Sequence, residues 1–297
     1  MSWIEAVILG IVEGLTEFLP VSSTGHVTIV SALFGLDVSS RDITAFTAII
    51  QVGAILAAVV YFFRDIVAMV VGLFRGLVSA EGRQRPEWRL ALCVIVGSLP
   101  IGVVGLLAKS VIEGPLRNLW VVAVALILWS AVMWAAEKRH RALADQPPVR
   151  HCTEVAPKGV RGEDDITVTD AFLIGLAQCF ALIPGVSRSG ATISAGLFLG
   201  LDRVTSTRLA FFLAMPALSA AAVLQSVSAR DEITQGVGWT NTLIGIAVSF
   251  VVGYAAIAWL LRFVAGHPIT VFVWYRVALG VALLLALGAG VLGATSA

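Results

Sequence analysis

Apolar residues run almost unbroken through six stretches of the chain, at about 43–63, 89–108, 117–136, 206–227, 240–263 and 270–294. Each is long enough to cross roughly 30 Å of hydrocarbon as a helix. Two further apolar regions, 3–35 and 169–200, are interrupted by Pro20 and by Pro184-Gly185, each followed by a serine-rich turn. Neither half of either region is long enough to span, so each predicts a helix, a turn and a second helix that enters the bilayer and returns. Irregular backbone at that depth is tolerated only where protein or a wet cavity surrounds it.

Composition agrees with this pattern. Of 297 residues, 58% are hydrophobic and only 13% charged, which places the chain among integral membrane proteins. A net charge of +1 and the lack of a long basic run argue against nucleic acid as a partner. Cys93, Cys152 and Cys179 match neither zinc-site nor disulfide spacing and read as packing residues. Met1 to Leu9 has no basic n-region and carries Glu5, so insertion is expected to rely on the spans themselves.

Basic residues set the expected orientation. The 64–88 loop holds Arg64, Arg75, Arg83 and Arg85, with Arg89 at its edge, and the 137–168 loop adds Lys138, Arg139, Arg141, Arg150, Lys158 and Arg161. The opposite side holds Arg41, Lys109, Arg117 and Arg230, which puts both termini outside. The middle loop, with Pro147-Pro148 and the acidic run Glu163-Asp164-Asp165, reads as a solvated linker over 141–168 between halves 1–140 and 169–297.

Those halves resemble each other. A shift of 165 residues aligns 10–37 with 175–202 without gaps and gives seven identities, among them Val21-Ser22 with Val186-Ser187, Gly25 with Gly190, and Gly35-Leu36-Asp37 with Gly200-Leu201-Asp202. One hairpin and three spans per half forces the second copy upside down. The predicted fold is therefore an all-α integral membrane protein, an inverted-topology repeat of six transmembrane helices plus two re-entrant helical hairpins. In such folds broken helices meet near the midplane and build the ligand site from their ends.

The first hairpin carries "EGLTEFLPVSSTGH" at 13–26. Glu13 and Glu17 share a helix face, and their repulsion calls for a protonated carboxyl, a nearby arginine or a bound divalent cation. After Pro20, the residues Ser22, Ser23, Thr24 and Gly25 start a helix whose free N–H groups suit an anion. His26, one turn after Ser23, is a candidate base for that hydroxyl. The second hairpin carries "PGVSRSGAT" at 184–192, where Arg188 lies between Ser187 and Ser189, followed by Gly190 and Thr192. A cation at a helix N-terminus is disfavoured unless an anion faces it, and a guanidinium beside hydroxyls suits phosphate. Gln178 and Thr192 offer further hydrogen bonds. Together these groups fit metal-assisted phosphoryl transfer, and without a Walker-type glycine loop the substrate is expected to be a phosphorylated lipid.

Both motifs, and the chain along its length, closely resemble the bacterial undecaprenyl pyrophosphate phosphatase family, the bacitracin-resistance family. The resemblance implies removal of the terminal phosphate of undecaprenyl diphosphate, a polyprenyl diphosphate lipid, to regenerate the carrier lipid for peptidoglycan synthesis. It also implies stimulation by Mg²⁺ or Ca²⁺, resistance to bacitracin, and a site facing outside in the bacterial cytoplasmic membrane. Carried across by position, Glu13 and Glu17 match the acidic pair, and they are expected to hold the divalent cation against the diphosphate. Ser22, Ser23 and His26 match the first phosphate loop, and Ser187, Arg188, Ser189 and Thr192 the second. The C-terminal "RFVAGHPITVFVWYRVALG" matches more loosely, so His267 and Arg276 are given no catalytic role. The attacking group is Ser23, water or His26, with Ser23 preferred because it is one turn from a base. The rival reading is a transporter or flippase of polyprenyl phosphate lipids, since broken helices in inverted repeats suit alternating access. Gly-rich spans such as Gly97 to Gly105 also suggest a homodimer.

Overall fold

A computed structural model describes residues 1–37, 40–108, 116, 118–145, 159–228 and 230–291, with 223–228 as backbone alone. Helices account for nearly all of it. The first half consists of α1 (Trp3–Thr16), α2 (Ser23–Leu33), α3 (Arg41–Tyr61), α4 (Phe63–Val78), α5 (Ala80–Arg83), α6 (Pro86–Leu107) and α7 (Leu119–Ala144). The second comprises α8 (Val168–Gln178), α9 (Arg188–Phe198), α10 (Arg203–Ser228), α11 (Arg230–Gln235), α12 (Trp239–Gly266) and α13 (Thr270–Gly288). Among the described residues, α3, α6, α7, α10, α12 and α13 are long and apolar enough to cross a membrane. The chain is an all-α, multi-pass membrane protein.

Local chemistry explains where the helices begin. A capping box starts α1, with Ser2 and Glu5 each bonding the other's backbone N–H, and Thr167 and Asp170 repeat it at α8. Pro86 opens α6, and the Asn118 side chain accepts from the Trp120 N–H at α7. Pro20 and Pro184 then break the two interrupted apolar regions as expected, into α1 with α2 and α8 with α9.

Packing is exchanged between the halves. The first pair leans on the second half, α1 against α12, and the second pair leans on the first, α8 against α6. Small residues permit the approach. A Cβ on Gly10 would lie 2.7 Å from the Gly245 carbonyl oxygen, and one on Gly175 would collide with that of Gly97. Gly97 is thus consumed by packing inside the chain, whereas Gly102 faces open space. The central core gathers Phe18, Phe62, Phe211 and Phe212, with Phe18 edge-on to Phe211 at 5.3 Å between centroids.

The structure departs from the sequence reading in three places. The stretch 64–88, expected as a loop, holds the amphipathic helix α4. Met69, Gly72 and Gly76 are buried on one side, and Phe63, Val67, Phe74 and Leu77 are exposed on the other. Its arginines obscured a helical period that Gly72 and Gly76 complete by seating against Glu87 and Trp88 of α6. Likewise α7 continues to Ala144, so Lys138, Arg139 and Arg141 are helical. Its extension carries the buried Glu137, which pairs with Arg203 and Arg141 and accepts from the Ile269 N–H at 3.3 Å. Finally, the acidic run is engaged as well as solvated: Glu163 meets Arg208 at 2.7 Å, and Arg208 also reaches Asp65 at 3.1 Å. Next to it Arg161 clamps Asp170 with two bonds of 2.8 and 2.9 Å, which pushes the Arg161 guanidinium above its ordinary range. Lys109, Arg117, Pro147-Pro148, Arg150, Cys152 and Lys158 lie outside the described residues.

The glycine contacts are directly testable. Gly175→Ala should destabilise the protein in detergent by about 1–3 kcal/mol, because backbone rather than a flexible side chain blocks the new methyl. Gly102→Ala, with nothing within 4 Å, should leave the unfolding temperature unchanged or slightly raised.

Candidate active site

Two turns, 17–22 and 179–187, bring the predicted residues together. Each ends on a serine with positive φ, Ser22 at 77° and Ser187 at 75°, a conformation that non-glycine residues hold only where their surroundings enforce it. The turns bond to each other. The Gly185 N–H donates to Ser22 Oγ at 3.2 Å, and Ser189 Oγ donates to the Leu19 carbonyl at 3.0 Å. Because the single Ser189 proton is spent there, the 3.1 Å contact between Ser187 and Ser189 hydroxyls has Ser187 as donor.

Acid, hydroxyl and arginine meet across this junction. Ser23 Oγ donates to Glu17 Oε2 at 2.5 Å, and Arg188 Nη1 lies 3.7 Å from Glu17 Oε1. That nitrogen makes no hydrogen bond among the described residues. The guanidinium is therefore paired in charge but loosely held, with donors left for another anion. Glu13 is 1% exposed and its Oε1 also has no hydrogen-bond partner there. No side chain caps α2, so its leading N–H groups stay available, whereas at α9 the Ser187 hydroxyl accepts from the Gly190 N–H at 3.2 Å.

His26 does not meet Ser23 as its spacing suggested. Its Nδ1 lies 2.7 Å from the Ser22 carbonyl, which only accepts, so Nδ1 carries the proton. In the neutral ring Nε2 then accepts from the Tyr275 hydroxyl at 2.6 Å. The Ser23 proton is directed to Glu17 instead. Three other predicted residues sit at the margin. Thr24 is exposed on α2. Thr192 donates to the Arg188 carbonyl at 2.8 Å. Gln178 is fully buried, with neither amide atom partnered among the described residues. Gly25 and Gly190 are needed for closeness, since a Cβ would stand 3.0 Å from Val122 and 3.3 Å from Ser187 respectively.

The sequence reading missed Tyr275 and left Arg276 without a role. Arg276 is wholly buried on α13 and donates to carbonyls of both turns, Pro20 at 3.2 Å and Gly185 at 2.8 Å. An arginine in the middle of an apolar span was the available signal.

The sequence that builds these turns matches a known family. The family model described as bacitracin resistance protein BacA matches residues 6–282. The chain belongs to this family. Among its relatives, undecaprenyl-diphosphatase 3 of Frankia casuarinae is 51% identical, over 99% of this chain and 100% of that protein. The undecaprenyl-diphosphatase of Cutibacterium acnes is 51% identical over 94% of this chain and 95% of its own length. Undecaprenyl-diphosphatase 1 of Streptomyces avermitilis is 49% identical over 97% of both chains. The BacA match thus takes in both turns and the Tyr275-Arg276 pair.

Histidine-selective ¹⁵N NMR should find neutral His26 as the Nδ1–H tautomer, with the Nε2 resonance shifting in Tyr275→Phe as the phenol hydrogen bond is lost. A ring protonated on Nε2 alone would contradict the assigned network.

Proposed function

We propose that the chain hydrolyses undecaprenyl diphosphate to undecaprenyl phosphate and inorganic phosphate, returning carrier lipid to cell-wall synthesis and conferring resistance to bacitracin. The observation that carries this reading is the contact of Ser23, Glu17 and Arg188 across the two turns. It combines a nucleophile, an acceptor for its proton and a cation for phosphate. The names of the relatives support the substrate. In this scheme the diphosphate oxygens lie between Arg188 and the α2 N-terminus, with the polyprenyl tail in lipid. Ser23 Oγ attacks the terminal phosphorus as its proton passes to Glu17. The bond to the bridging oxygen breaks and undecaprenyl phosphate leaves. Water then cleaves the phosphoseryl group, its proton passing through the Tyr275 hydroxyl to His26 Nε2 while Glu17 returns its proton to Ser23 Oγ, and inorganic phosphate leaves with Ser23 restored.

A divalent cation fits the acidic pair. Glu13 presents an unpartnered, buried carboxylate oxygen, a hard donor of the kind Mg²⁺ and Ca²⁺ take. No group of three or more His, Cys, Asp or Glu donors occurs among the described residues. Such a site would be completed by substrate phosphate, the usual arrangement for Mg²⁺. Glu13 and Glu17 would hold the ion, which supplies neutralisation of phosphate charge when bound. We further propose that the halves are inverted repeats with boundaries near 140 and 169, that each helix pair re-enters the membrane, and that the site opens to the outer face of the cytoplasmic membrane. The polarity of basic residues supports that orientation. The hydrolase is favoured over a flippase because Ser23 is bonded to a proton acceptor, which transport does not require.

Phosphate release by purified protein from a long-chain polyprenyl diphosphate tests the reading. Arg188→Ala and His26→Ala should each lower turnover by about two to four orders of magnitude while the protein still inserts and folds; near-normal release from either contradicts the scheme. Chelation should suppress release, and added Mg²⁺ or Ca²⁺ should restore it.

A further inference from the structure

Among the described residues Arg276 is the largest fully buried side chain. No ion pair with a carboxylate is found for it among the described residues, and its hydrogen-bond partners are neutral. Nε donates to Ser130 Oγ at 3.3 Å, Nη1 to the Pro20 carbonyl at 3.2 Å, and Nη2 to the Gly185 carbonyl at 2.8 Å and the Leu126 carbonyl at 3.5 Å. A buried cation without a counter-ion is costly. Its position shows what offsets that cost. The two turns lie outside the helices, so no helical ladder satisfies their backbone carbonyls, and Pro20 and Gly185 supply one such carbonyl from each turn. The planar fork of a guanidinium spans both at once, which the point charge of a lysine does not.

A third element is thereby brought to the site. α13 packs on α7, and α7 contributes Ser130 and Leu126 to the same guanidinium. The preceding residue on α13, Tyr275, holds His26 through its hydroxyl and lies parallel to it at 5.6 Å between ring centroids. Glu17 sits on the first turn, with Ser23 just past it and Arg188 just past the second. Their juxtaposition is therefore only as well defined as the register of the two turns.

We infer that Arg276 is the positioning residue of the site: one guanidinium clamps the Pro20 and Gly185 carbonyls together and so holds Ser23 and Glu17 opposite Arg188. It touches neither substrate nor reacting atoms. This inference rests on the hydrolase reading for its kinetic consequence, but its structural consequence stands apart from it.

The test uses the full-length protein in detergent, with Arg276→Lys as the main variant and Arg276→Met as the second. Hydrogen exchange followed by mass spectrometry should show peptides covering 18–24 and 183–189 losing protection together in both variants, while peptides from α3 and α12 keep theirs. In the same preparations, phosphate release from polyprenyl diphosphate should fall by about a hundredfold in kcat with KM changed by less than about threefold, the signature of misplaced rather than missing groups. Unchanged protection at both turns overturns the inference, as does loosening of one turn alone or an unaltered kcat. Loss of protection throughout the chain in Arg276→Lys also overturns it, because the residue would then support the fold and not the register. If wild-type protein released no phosphate, the hydrolase reading would fail while the exchange result still decided the clamp.

Discussion

Everything at the site depends on two broken helices satisfying each other's backbone. Pro20 and Pro184 end their helices inside an apolar protein, where unpaired N–H and C=O groups are expensive. The turns meet that demand mutually. The Gly185 N–H goes to Ser22, the Leu19 carbonyl receives Ser189, and Arg276 closes over the carbonyls of Pro20 and Gly185. The same bonds that make irregular backbone tolerable also fix the distance between Glu17 and Arg188. Stability of the turns and geometry of the site are one problem with one solution, and the positive φ of Ser22 and Ser187 is the strain this solution retains.

The two turns share a frame but divide the chemistry. Ser22 and Ser187 occupy equivalent places with nearly equal φ. Where the first helix pair and its turn carry Glu13, Glu17, Ser23 and His26, the positions 165 residues later hold Gln178, Leu182, Arg188 and Ala191. Acid, hydroxyl and base stay on one side, and the cation comes from the other. A frame with acids on both sides would concentrate like charge at the junction, and one with two arginines would lack a proton acceptor. Neither half alone carries the full set proposed to act on phosphate.

Much of this was legible in the sequence. Length and apolarity located the six long helices, and two interior prolines located the turns, because hydrocarbon thickness and backbone satisfaction leave few alternatives. Of the candidate residues, Glu17, Ser22, Ser23, Arg188 and Ser189 meet at or across the two turns. Three features were not legible, each because partners distant in sequence decide it. Spacing alone placed His26 beside Ser23, but the ring is drawn away by Tyr275, 249 residues on. Arg276 looked like a residue in a loosely matching tail until its four acceptors were visible. In 64–88, arginines at intervals mask a helix whose buried face contains glycines, residues that contribute little hydrophobic signal and reveal their purpose only against Trp88.

The central claim is that Ser23, oriented by Glu17 and faced by Arg188, attacks phosphorus. It is tested most directly by rapid acid quench of the enzyme during turnover of polyprenyl diphosphate, followed by peptide mass spectrometry. The account predicts a phosphoryl group on Ser23 that appears and decays with turnover and is absent from the Ser23→Ala protein, which does not turn over. Sustained phosphate release by Ser23→Ala, or a phosphoryl group found on His26 in its place, would contradict it.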